Sequence, residues 1–469
     1  MAGLVWWQNQ PKGFDAVAAW RAQPPNARAT GRTGVLVVAL IQPTRYSPVF
    51  YENFVEKLSR VAIPWPINLI ALRDTGVALL DPTQPARTEP FTPRLLADIW
   101  GRTADIDGVP WVDKWREGKV DWVPPSDGTA ADIGSFVYRF RAGGTSGTAQ
   151  RAMLKARYLY YGRLPGGILP QQAETEAMVA QAFAELRAAH PALAGAALVD
   201  AFDKAAKRRA VNAVLDQGID TLVLASALPI KSSFEELRGS YPPLVAMIDD
   251  WVAAKPGRQR PRLLIAAQMA DSPAFLTLWQ EQLANALPAA APPGAGVTVI
   301  MSLHGLPEAT LKRDLWTRNA ARLTAALQPR LAAVARARGW SRVTVVSAQE
   351  AFADGREDPH DRLLSTGEVF RQAAARGDRL AVALPIEFMA ENTDTLFLHS
   401  TLMFAGLPDA IPYAAPPPGT DWNRPYVRRH RLGGTELVYA GAPGPTGRAL
   451  AARALAQAIA ARLPISKVS

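Results

Sequence analysis

Two clusters in this chain carry residue types that could move protons or hold a cation. The first is residues 297–308, Val-Thr-Val-Ile-Met-Ser-Leu-His-Gly-Leu-Pro-Glu, where a β-branched run gives way to Ser302, His304 and Gly305. The second is residues 385–395, Pro-Ile-Glu-Phe-Met-Ala-Glu-Asn-Thr-Asp-Thr, with Glu387, Glu391 and Asp394. Histidine changes charge nearest neutral pH, and carboxylates relay protons or bind hard and borderline divalent metals. An imidazole set against carboxylates is therefore suited to taking protons from a substrate or to guiding a divalent metal. Each residue also has a plainer reading. A single His in a loop commonly serves as a solvated or capping group, and acids near a helix start are stabilised by the positive end of its dipole.

The elements that must position these clusters are strands. Residues 297–301 are apolar apart from Thr298 and read as a buried strand of a parallel sheet. Pro307 suits the first turn of a following helix. His304 is thus expected in the loop at the carboxyl end of a strand, where open α/β sheets bind ligands. The second cluster follows a strand at 380–384 in the same way. A helix is expected from about Ala390, which would put Glu387, Glu391 and Asp394, spaced four and three apart, on one face.

The rest of the chain repeats this alternation. Strands are predicted at 34–40, 67–72, 221–225, 262–266, 342–346 and 436–440. Helices are predicted at 48–60, 149–161, 171–187, 201–217, 234–254 (broken near Pro242-Pro243), 273–287, 307–338 (interrupted at Pro329), 367–376 and 446–463. About eight strands, most followed by helices, define an α/β protein with a mainly parallel arrangement. One sheet or two smaller ones fit this pattern equally. Residues 1–33, with Trp6, Trp7 and Trp20, read as an extension that packs on the body of the same chain. Residues 74–150 read as an insert with Trp100, Trp111, Trp115 and Trp122. It suits a small satellite core, and it also suits a wall for a flat aromatic ligand.

Composition bounds the function. A chain of 469 residues that is 48% hydrophobic can bury a large core. Cysteine is absent, which excludes disulfides, thiolate metal sites and Cys-ligated iron–sulfur clusters. No spanning helix and no secretory signal are expected. The net charge of +10 comes from scattered Arg rather than a basic run, so a nucleic-acid partner is not expected. No phosphate-binding glycine loop follows any predicted strand, which argues against a nucleotide enzyme.

Taken together, the clusters resemble motifs of the ferrochelatase family, the class II tetrapyrrole chelatases. Ser302-Leu303-His304-Gly305-Leu306-Pro307 is similar to that family's Ser-x-His-Ser/Gly-Leu/Ile-Pro motif. Residues 385–397 are similar to its Pro-x-Gly-Phe-x-x-Asp-His-x-Glu-x-Leu-Tyr motif. Three weaker matches keep the family order: Gly166-Gly167-Ile168 with Pro170 and Thr175, Leu224 to Pro229 with Ser232-Ser233-Phe234, and Ser347 to Glu350 with Asp358-Pro359. The resemblance spans most of residues 34–400.

What the resemblance implies is a fold of two Rossmann-like, doubly wound domains, each with a mostly parallel four-stranded sheet, and a cleft between them for a macrocycle. The implied division is an extension at 1–33, a first domain at 34–225 carrying the insert, a second at 226–445, and a helix at 446–469 packing back on the first. The implied chemistry is insertion of a divalent metal, ferrous iron foremost, into a tetrapyrrole such as protoporphyrin. His304, Asp394 and Glu391 are the implied catalytic residues, with His304 and Asp394 meeting the metal. Leu40, Ile41, Arg45, Ser233 and Ser302 would line the macrocycle. The metal enters as substrate, and no tightly bound cofactor is expected. The expected location is cytoplasmic, with a membrane surface or protein partner for the Trp-rich additions to dock on.

The chain also departs from the family. Leu40-Ile41 is aliphatic where the family is polar or glycine-rich, Asp394 stands where it has Glu, Asn392 where it has His, and Leu398 where many members have another acid. These departures leave open a second reading: a chelatase-fold protein that binds haem or a porphyrin, or scaffolds a complex, without metallating.

Overall fold

A computed structural model describes residues 14–45, 50, 120–123, 137–140, 161, 164–201, 204–305, 315–350, 363–399, 403–404, 416–417 and 419–464. The elements expected at 48–60, 67–72 and 149–161 lie outside the described residues but for Phe50 and Tyr161. In chain order the described elements are α1 (Ala16–Ala22), β1 (Thr33–Ala39), β2 (Val120–Val123), β3 (Val137–Phe140), α2 (Gln171–Ala189), β4 (Leu193–Asp200), α3 (Lys204–Leu215), β5 (Thr221–Ser226), a π-helix at Ser233–Arg238, α4 (Tyr241–Ala254), β6 (Arg262–Ile265) and α5 (Pro273–Ala286). There follow β7 (Gly296–Leu303), α6 (Leu315–Ala337), β8 (Arg342–Gln349), α7 (Thr366–Ala375), β9 (Leu380–Pro385), a second π-helix at Asp394–His399, β10 (Arg428–Leu432), β11 (Thr435–Tyr439) and α8 (Gly444–Ala460).

Two sheets result. The first has the order β4-β1-β5-β6 and every pairing is parallel. The second has the order β10-β11-β9-β7-β8, parallel throughout except for the antiparallel edge pair β10-β11. Setting β10 aside, β8-β7-β9-β11 repeats the order of the first sheet. This is the doubly wound architecture expected from the sequence, with one strand more in the second sheet. A small antiparallel hairpin, β2-β3, lies in the Trp-rich insert.

The layers follow from side-chain alternation along the strands. In β1, Val35 and Val37 face one way and Leu36 and Val38 the other, and all four are buried. Val35 and Val37 share a core with Val223 and Ala225 of β5 and with Val297, Val299 and Met301 of β7. The two sheets therefore share one central apolar layer, filled by α2, α5, α6 and α8. Separate outer cores lie against α1, α3 and α4 beyond the first sheet and against α7 beyond the second.

Several expectations change. β4 was not foreseen: its Ala/Gly-rich stretch Leu193-Ala-Gly-Ala-Ala-Leu has no β-branched residue before Val199. β6 pairs with β5, so the first sheet runs past the boundary expected at 225. Helix α6 is not interrupted but continues through Pro329, with Leu323, Leu327 and Leu331 buried on one stripe. Full burial of a Leu stabilises by about 1.5–3 kcal/mol, so this stripe offsets the roughly 3 kcal/mol that an interior Pro costs. The break near Pro242-Pro243 is real, because α4 begins at Tyr241 with those prolines in its first turn. Among the described residues, no helix is long and apolar enough to cross a membrane.

Candidate functional site

β7 is buried along its whole length and delivers His304 to the carboxyl end of the second sheet. The main chain there is gripped by a carboxylate from the neighbouring loop. Glu387, just after β9, accepts from His304 N at 2.6 Å, from Trp316 Nε1 at 2.6 Å and from Gly305 N. Burial pushes the Glu387 carboxyl up to about 7, while the Trp316, His304 and Gly305 N–H groups pull it the other way. Gly305 has φ +88°, a left-handed conformation that favours glycine and lets the chain turn directly after His304. The half-buried imidazole meets Phe388 edge-on, with ring centroids 5.7 Å apart.

The acids of the second cluster do not share a helix face. Residues 386–392 run as a turn, a bend and irregular chain rather than as a first helical turn. The reason is Asn392, whose side-chain oxygen accepts from Asp394 N at 2.8 Å and Thr395 N at 2.9 Å and so starts the helix later. Glu387, Glu391 and Asp394 consequently take three different directions. Glu391, 4% exposed, accepts from Ala442 N at 2.7 Å, from the Thr395 hydroxyl at 2.5 Å and from Tyr426 N. Burial raises its carboxyl to about 7 against those donors. A Cβ on Gly441 would come within 2.9 Å of this carboxylate, so the residue there must be small. Asp394 is half-buried and opens the second π-helix, a distortion common at functional sites.

Asp394 is met from the first sheet. Gln42, three residues past β1, is 7% exposed. Its amide oxygen accepts from Thr393 N at 2.9 Å, and its Nε2 lies 3.5 Å from Asp394 Oδ2. Leu40 and Ile41 precede it, half-buried and buried respectively, and Leu40, expected to line the macrocycle, packs instead against the outer core beyond the first sheet. Gln171, at the start of α2, clamps this loop by accepting from Gln42 N at 3.0 Å and donating to Leu40 O at 3.2 Å. Arg45 is exposed and donates to Gly166 O at 3.0 Å, in the turn where Gly166 and Gly167 both have positive φ.

The other expected site residues are buried. Ser302, 2% exposed, donates to Glu350 and accepts from Thr366 Oγ1 at 3.3 Å. Glu350 N in turn donates to Leu303 O at 2.8 Å, so this acid braces the strand that carries His304. Burial lifts the Glu350 carboxyl to about 7, against the Ser302 and Thr366 hydroxyls. Ser233, 3% exposed, accepts from Leu315 N at 3.1 Å. Beside it Lys231 and Glu236 form a buried ion pair at 2.5 Å. Tyr241 donates to the same carboxylate, and the Trp20 ring lies 4.8 Å from Lys231 Nζ.

Sequence reasoning missed Gln42, Glu350 and the Lys231–Glu236 pair. It noted Glu387 without its grip on His304. The usable signal was position for two of them: Gln42 and Glu350 lie within three residues of a strand's carboxyl end, whereas Glu236 lies ten residues past β5. Among the described residues, no group of three or more His, Asp or Glu is arranged to hold a metal.

No family model matches this chain, and no curated protein matches it. Among solved structures, SirB from Bacillus subtilis with Fe3+ is 10% identical, with a TM-score of 0.39, over 62% of this chain and 88% of that chain. A dimeric Lac repressor with a C-terminal deletion is 12% identical, with a TM-score of 0.18, over 51% of this chain and 68% of that one. Likeness of this degree carries no argument about what the chain does.

Proposed function

We propose that this chain is a chelatase-type enzyme that inserts a divalent metal, ferrous iron foremost, into a tetrapyrrole. The observation that carries the reading is the placement of His304 and Asp394. They follow β7 and β9, which are neighbours in one sheet, and Asp394 is met by Gln42 from the end of the other sheet. An imidazole and a carboxylate at the carboxyl ends of neighbouring strands suit a macrocycle that must lose two N–H protons as it gains a metal.

In this reading His304 accepts pyrrole protons, and its fixed main chain holds the imidazole in one place. Asp394 guides the incoming metal. Arg45, exposed at the rim, suits a carboxylate of the macrocycle. Ser302, Ser233 and Glu391 act from behind, because their polar atoms already serve Glu350, Leu315 and the 426–442 backbone. Binding energy from the macrocycle's faces would supply the few kcal/mol needed to bend it.

A second reading is favoured by Glu391, whose carboxylate is taken up by protein donors. With that acid turned inward, the chain would bind haem or a porphyrin, or scaffold a complex, without metallating it. One experiment separates the two. The full chain is titrated with protoporphyrin, coproporphyrin and haem, and ferrous, zinc or cobalt ions are then added anaerobically. Conversion to the metallated spectrum, reduced about a hundredfold or more in His304→Ala with unchanged far-UV dichroism, is the expected result. Binding without conversion would favour the second reading. No binding of any of the three would overturn both porphyrin readings.

A further inference from the structure

We propose that Gln42 is a positioning residue through which the first sheet sets the Asp394 carboxylate; the inference rests on the metal-inserting reading. The geometry leaves its amide one orientation. Thr393 N–H can only donate, so the amide oxygen must face it at 2.9 Å. The NH2 group is then what faces Asp394 Oδ2, at 3.5 Å. A donor at that distance is long for a hydrogen bond and acts on the carboxylate chiefly as the positive end of an amide dipole.

The side chain that does this is itself held. Gln42 is buried, and its backbone N–H is tied to Gln171 Oε1, whose Nε2 returns to Leu40 O. Two glutamines thus connect the start of α2, the backbone that follows β1 and Asp394 in one line.

Two substitutions separate the parts of this contact. Gln42→Leu removes both hydrogen bonds. Gln42→Glu keeps an acceptor for Thr393 N–H but sets a carboxylate against Asp394. Zinc insertion into protoporphyrin, followed by fluorescence on the full chain, should show kcat/KM for zinc lowered about tenfold in both variants. KM for protoporphyrin should stay within about twofold of the unsubstituted chain. The unfolding temperature should fall in both, through loss of the Thr393 contact in Gln42→Leu and through carboxylate repulsion in Gln42→Glu. Wild-type zinc handling in Gln42→Glu would overturn the inference, because the Thr393 contact would then be all that Gln42 supplies. If the unsubstituted chain inserts none of zinc, ferrous iron or cobalt, the functional reading falls instead. The link is then read from thermal unfolding of Gln42→Leu, Asp394→Asn and the double variant. Non-additive effects support it and additive effects overturn it.

Discussion

In the first sheet, the loop after β5 runs into a π-helix whose Glu236 meets Lys231, and Tyr241 and Trp20 close over the pair. In the second, the loop after β9 runs into a π-helix that starts at Asp394, and the buried acids around it meet hydroxyl and N–H groups. The strand order is the same and the chemistry is opposite. A carboxylate beside an ammonium offsets the cost of burial within the pair. A carboxyl whose donors are neutral keeps its proton up to about pH 7, as Glu350, Glu387 and Glu391 do. The loops after β1 and β7 differ likewise, since Leu40 and His304 each follow a buried strand and are each followed three residues later by a proline. One half holds its buried acid in an ion pair, and the other holds three among neutral donors.

That contrast can be broken where it is strongest. Glu236→Ala strands the Lys231 ammonium in the interior and should cost about 3–5 kcal/mol by urea unfolding. Lys231→Met combined with Glu236→Leu should recover most of it. If the single change is harmless, the pair is not what holds the first half.

The second half should respond to pH instead. Glu350 and Glu391 have their carboxyls raised from 4.5 to about 7, so the folded chain binds more protons than the unfolded chain between those values. Their contribution is complete below pH 4.5 and is lost as pH rises through 7. Each shift is worth about 3 kcal/mol at most. Glu350→Gln and Glu391→Gln should each flatten the fall in stability between pH 5 and 8. An unchanged profile in both would remove the proton-holding half of the comparison.

Smaller effects sharpen it. Gly305→Ala forces a side chain into left-handed backbone beside His304, and should cost about 1–2 kcal/mol and weaken His304-dependent activity. Arg448→Ala removes a two-pronged contact to Glu174 that ties α8 to α2. Both side chains are partly exposed there, so a loss of about 1 kcal/mol or less, and no change at either sheet's edge, is expected.

How much of this was legible follows from where the information lies. β1, β5, β7 and β9 announce themselves as dense Val/Ile/Leu runs, and the placement of His304 at the end of β7 follows from that alone. β4 and β10 do not: one is Ala/Gly-rich and takes its strand form from pairing with β1, and the other is Arg428-Arg-His-Arg-Leu, an edge ribbon on β11. The helix-face reading of Glu387, Glu391 and Asp394 failed because Asn392 moved the helix start. The grip of Glu387 on His304 and the reach of Gln42 to Thr393 join positions far apart in sequence. No local pattern records such meetings.

The central layer has a consequence for how the molecule is made. Ala451, Ala452, Leu455, Ile459 and Leu463 belong to the core shared by both sheets, and Arg462 donates to the carbonyls of Pro25 and Ile265. Until that segment leaves the ribosome, the central layer against the inner face of the first sheet lacks one of its four helices. The half synthesised first must wait, partly assembled and with greasy surface bare, for nearly the whole of translation. A chain of this design should lean on chaperones during synthesis, and cutting it before residue 444 should yield aggregate rather than two independent halves.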